Sequence, residues 1–142
     1  MKKILMFAAV ASIGIATFSG CSKSSSSPSY SMNATINGKS FSSSNATATI
    51  VATDSSLAVV SATTYPYVTL AIYNYKGVGT YTTSSSVTNL FGIDSSTSSA
   101  VIATTGTVTI TSVSSSVVSG TYSFTCTDNT TVTGGTFTAH VL

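Results

Sequence analysis

Residues 117–127 read VVSGTYSFTCT, and theirs is the clearest alternation in the chain. Tyr122, Phe124 and Cys126 fall on one face of an extended segment, with Thr121, Ser123, Thr125 and Thr127 on the other. Successive side chains of a strand point to opposite faces, so this spacing sets an apolar row against a hydroxyl row. A helix would scatter the same residues around its circumference. One buried face and one wet face are what a half-buried antiparallel strand requires.

The same period extends outward from this stretch. Residues 136–141 put Phe137, Ala139 and Val141 inward, and residues 107–112 do the same with Val108 and Ile110. Weaker strands over 87–93 and 100–104 flank the turn 94–99 (DSSTSS). Towards the N-terminus, Val68, Leu70 and Ile72 form one face of 67–73, which Pro66 opens. Residues 46–53 and 57–63 flank Asp54-Ser55-Ser56, a hairpin turn. Met32, Ala34 and Ile36 alternate with polar partners before Asn37-Gly38, a type I′ turn that leads into 39–42 with Phe41 inward. The expected fold is all-β: an antiparallel sandwich or flattened barrel of about eight to ten short strands.

Four tetrapeptides share one form: Gly79-Thr80-Tyr81-Thr82, Gly106-Thr107-Val108-Thr109, Gly120-Thr121-Tyr122-Ser123 and Gly135-Thr136-Phe137-Thr138. Each is read as a glycine turn or bulge before a strand, then an outward Thr and an inward third residue. Their spacing is irregular, which speaks for recurring strand-entry chemistry over a solenoid repeat.

Residues 36–41 (INGKSF), the mid-chain Gly-Thr-Tyr, the strand GTVTIT at 106–111, SGTYSF at 119–124 and the closing Gly135-Thr136-Phe137 together resemble a family of small, uncharacterised Bacteroidota lipoproteins. The resemblance implies an exported all-β domain. It brings no established activity and no catalytic residues.

The N-terminus agrees with export. Residues 1–20 carry Lys2 and Lys3, an apolar run over 4–18 and small residues at the end, which is the pattern of a signal peptide. The apolar run is too short for a comfortable membrane span; an uncleaved anchor helix is the alternative. Phe18-Ser19-Gly20-Cys21 resembles the lipobox of bacterial lipoproteins, although Phe stands where Leu is usual. That resemblance makes Cys21 the lipid-modified first residue of the mature chain. Residues 21–29 then form the lipidated Cys and a flexible Ser-rich linker, and 30–142 a single β domain. Ser22 and Lys23 after the cysteine resemble outer-membrane sorting, with the periplasmic face favoured over the cell surface.

Composition narrows the function. Ser and Thr make up roughly two-fifths of the 142 residues, far above ordinary usage. There is no Arg and no Glu, and without the two signal lysines the charges are Lys23, Lys39 and Lys76 against Asp54, Asp94 and Asp128. No basic patch exists for nucleic acid. Paired-carboxylate catalysis would have to use three isolated turn aspartates, whose ordinary role is to cap local N–H groups. His140 is the single histidine. A hydrolase using it and one of the many serines is the weakest reading, since no Gly-x-Ser-x-Gly elbow is present. Metal ligation lacks a second His or a cysteine pair, and no cofactor motif is found. Cys126, left without a partner once Cys21 is lipidated, reads as a buried small hydrophobe, with a reactive thiol as the alternative.

The expected function is therefore a non-catalytic structural or interaction module anchored to the envelope membrane by lipid. The alternative is a ligand-binding lipoprotein that presents Tyr65, Tyr67, Tyr73, Tyr75 and Tyr81 to a glycan, peptide or envelope protein, because tyrosines at a strand edge can stack on a partner.

Overall fold

The computed structural model describes residues 29–61, 65–84, 89–96 and 99–142. The expected signal peptide over 1–20, Cys21 and all of the expected linker but Ser29 lie outside the described residues. Ten strands form among the described residues: β1 (Ser31–Ile36), β2 (Lys39–Ser43), β3 (Thr47–Val51), β4 (Ser56–Val60) and β5 (Tyr67–Ile72), then β6 (Gly79–Thr83), β7 (Leu90–Ser96), β8 (Ser99–Val113), β9 (Val117–Cys126) and β10 (Thr131–Val141). The all-β expectation holds.

The alternation seen in sequence becomes burial. Val68, Leu70 and Ile72 are fully buried on β5, and Val108 and Ile110 on β8. Tyr122, Phe124 and Cys126 are buried on β9 while Thr121 and Ser123 face out. Asn37 and Gly38 take positive φ values of 48° and 77°, as a type I′ turn demands.

Two layers result. One runs β2-β1-β10-β9-β8-β6, and the other β3-β4-β5-β7. The long strands β8 and β10 change partner along one edge and so join the layers. Residues 100–102 of β8 pair with β7 before 106–110 pair with β6. On β10, residues 132–138 pair with β1, and His140 and Val141 then pair with β3 in the sheet's one parallel match among the described residues. Phe91 on β7 meets Phe124 on β9 across the interior at 6.2 Å, and Tyr122 lies 6.3 Å from Phe137. Each fully buried Leu, Ile, Val or Phe here stabilises the fold by about 1.5–3 kcal/mol.

Three expectations change. Residues 100–104 and 107–112, read as two strands, are one continuous β8, because both ends find ladder partners on either side of Gly106. Asp94, read as a turn residue, is within β7 opposite Ala100 and Tyr67. Gly106, Gly120 and Gly135 do not precede strands but sit inside them. Each stands directly opposite a bulky neighbour: Phe124, Phe137 and Tyr122 respectively. At Gly120 and Gly135 the missing side chain makes room for a ring, while at Gly106 it makes room for the Phe124 β-carbon and the neighbouring backbone.

Candidate functional site

Residues far apart in sequence meet at the end of the sandwich where the β1–β2 turn, the last residues of β7, the first of β8 and the β9–β10 connection come together. The INGKSF hairpin supplies Ile36, Asn37, Lys39, Ser40 and Phe41 to a pocket of about 370 Å³. Ile93 and Ser95 of β7, Val101 of β8, Pro66 at the entry to β5, and Asp128 and Thr130 complete it. Its volume falls at the lower end of the range for small-molecule sites, and its lining follows their pattern of apolar walls with a few polar groups.

Hydrogen bonds fix the rim. The Asn37 N–H donates to the Thr131 carbonyl at 2.9 Å, and the Thr131 N–H donates to Asn37 Oδ1 at 2.8 Å. The β1–β2 turn is thereby locked to the start of β10. Asp128 caps its own turn: Oδ1 accepts from the Thr130 N–H and Oδ2 from the Thr130 hydroxyl, each at 2.9 Å. These two bonds, the backbone one first, hold the Asp128 carboxyl below the usual carboxylate range. Asp54 makes the same kind of cap elsewhere, accepting from the Ser56 N–H and hydroxyl.

The five tyrosines do not form one surface. Tyr65 and Tyr67 stack with centroids 4.8 Å apart on either side of Pro66, which lines the end pocket. The hydrogen bond from Tyr67 to the Tyr65 hydroxyl, followed by desolvation, raises the Tyr67 phenol to about 12. Tyr75 and Tyr81 instead pack together at 5.9 Å against the core. Tyr81 donates its hydroxyl to the Gly77 carbonyl at 2.8 Å and accepts from the Lys76 N–H at 3.0 Å, which closes the 74–79 connection. The Tyr75 hydroxyl is buried without a partner among the described residues, and desolvation raises its pKa. Tyr73 stands apart, exposed beside Asp54, Asn74 and Leu90 in a shallow hollow.

His140 packs against Tyr30 at 4.9 Å, and its ring makes no hydrogen bond to a Ser or Asp among the described residues. No group of three or more His, Cys, Asp or Glu side chains forms there either. Cys126 is 2 % exposed. Desolvation, then the Asp128 charge, pushes its thiol up to about 11. Sequence reasoning missed the end pocket. The one signal that pointed towards it was the INGKSF hairpin, singled out for its turn and not for its position.

One family model, described as Domain of unknown function (DUF6252), matches residues 28–141. No curated protein and no solved structure matches the chain.

Proposed function

The chain thus belongs to the DUF6252 family, and we propose that it is a non-catalytic binding module of the bacterial cell envelope, tethered through lipid on Cys21. The signal-like residues 1–20, the lipobox-like Phe18-Ser19-Gly20-Cys21 and the Ser-rich linker support the tether. In this reading the chain is a Bacteroidota lipoprotein of the outer membrane, facing the periplasm. The lipid brings the β domain to the bilayer, and the linker leaves its end pocket free to meet a partner.

The observation that carries the binding role is the pocket itself. Its rim is locked by the Asn37–Thr131 bonds and the Asp128 cap, and its walls are apolar. Such a cavity is already formed before a ligand arrives, which lowers the entropic cost of binding. Pro66, one of its lining residues, lies in sequence between the stacked Tyr65 and Tyr67.

Two experiments test the two halves. A palmitate analogue fed to expressing cells should label the wild-type chain and not Cys21→Ala; equal labelling of both would end the anchoring proposal. The neutral fluorophore N-phenyl-1-naphthylamine should brighten with the detergent-solubilised full chain beyond its signal in protein-free micelles of the same detergent, and Phe41→Ala should remove most of that excess. Unchanged fluorescence with Phe41→Ala would place the probe elsewhere and end the pocket reading.

A further inference from the structure

The end pocket carries two opposite charges that the chain does not pair with each other. Lys39 is exposed on the β2 side of the rim, and Asp128 lies on the β9–β10 side. Lys39 makes no ion pair among the described residues. Asp128 spends one acceptor position of each oxygen on Thr130, and each carboxylate oxygen can accept a further bond. Ile36, Phe41, Ile93 and Val101 supply the apolar part of the same lining.

This arrangement selects by charge. A simple anion would gain Lys39 and meet Asp128; a simple cation would do the reverse. A ligand carrying both charges around an apolar body satisfies the whole rim. Resting on the reading of this pocket as the recognition site, we propose that it binds apolar α-amino acids or short apolar peptides with free termini. The ligand ammonium sits on Asp128, its carboxylate on Lys39, and its side chains on Ile36, Phe41, Ile93 and Val101. A cavity of about 370 Å³ suits a ligand of this size.

The test is displacement of bound N-phenyl-1-naphthylamine from the full chain by leucine, Leu-Leu and Leu-Leu-Leu, compared with N-acetyl-Leu-Leu and Leu-Leu-amide. The free-ended ligands should displace the probe, and blocking either end should weaken displacement roughly tenfold. The three lengths distinguish a free amino acid from a peptide as the preferred source. Lys39→Met should make Leu-Leu and Leu-Leu-amide equivalent while leaving the effect of the acetyl cap intact. Asp128→Asn should do the converse; because it also alters a turn, Lys39→Met at an exposed position keeps the test decisive. Probe binding with no displacement by free-ended ligands overturns this proposal and leaves the pocket reading standing. So does displacement that the caps do not weaken, or discrimination against the C-terminal amide that survives Lys39→Met. Failure of the probe itself to bind removes both.

Discussion

Gly120 and Phe137 stand directly opposite each other on β9 and β10, and a β-carbon on Gly120 would lie 2.8 Å from Phe137 Cζ. The relation is reciprocal two residues along. Tyr122 faces Gly135, where a β-carbon would lie 2.6 Å from Tyr122 Cδ2. Each Gly-Thr-aromatic segment therefore offers a gap and a ring, and antiparallel pairing places each ring over the other strand's gap. What reads in sequence as a repeat of strand starts is an interlock between neighbouring strands.

Gly120→Ala should accordingly cost about 3 kcal/mol or more, at the upper end of overpacking, because the Thr109 carbonyl beside it is backbone and cannot rotate away. Gly134→Ala is the control. Nothing lies within 4 Å of its β-carbon position, so only its φ of 59° resists, at about 1 kcal/mol. Urea denaturation of the two variants measures the difference. Equal midpoints would mean that the ring-over-glycine contact contributes nothing.

Tyr81→Phe should loosen the 74–79 connection without unfolding the domain. The hydroxyl alone bridges Lys76 and Gly77, while the ring keeps its place against the core and Tyr75. The loss should be about 1–2 kcal/mol, as for two modest, partly exposed hydrogen bonds. Hydrogen exchange gives the local readout: the Lys76 amide should lose protection while amides of β9 keep theirs. Unaltered exchange at Lys76 would show that the connection is held by something else.

How much of this could be read from residues alone depends on whether a feature is local. Val68, Leu70 and Ile72 declare their face through a period of two, and Asn37-Gly38 declares its turn through backbone preference. Both are local, and both are found as expected. The end pocket is not local. Lys39 and Asp128 share a rim only because β1 pairs with β10 in a register that joins Ile36 to Val132. The tyrosines show the converse: close in sequence, they separate because Tyr67 starts a strand, Tyr81 turns back onto a loop, and Tyr73 lies beyond the end of β5. Asp94 looked like a turn residue among serines; its ladder partners, invisible in sequence, kept it in a strand.

Cys126 should behave as an inert thiol. It is 2 % exposed, and a pKa of about 11 leaves little thiolate at neutral pH. Ellman's reagent should therefore react with native protein at a rate limited by opening of the fold, and promptly once guanidinium unfolds it. Cys21→Ala protein isolates the Cys126 signal. Rapid labelling of native Cys21→Ala would contradict the burial of β9's inner face.

Asp128 gives the chain a specific acid sensitivity. Its carboxyl is held below the ordinary value of 3.8 by the Thr130 N–H and then by the Thr130 hydroxyl, so the folded state binds the proton less readily than the unfolded chain. A lowered folded pKa stabilises the fold fully above the unfolded value, and that contribution disappears as pH falls through the folded one. As pH falls through and below the ordinary value of 3.8, the wild-type melting temperature should fall more steeply than that of Asp128→Asn, which has no charge to lose. The size of the effect is modest, since the carboxylate is exposed and solvent screens it. Asp128→Asn retains an oxygen to accept from the Thr130 N–H, so the two proteins should differ in their slope against pH more than in their stability at pH 7. Parallel curves throughout that range would mean that the two Thr130 bonds do not distinguish the charged carboxylate from the neutral acid.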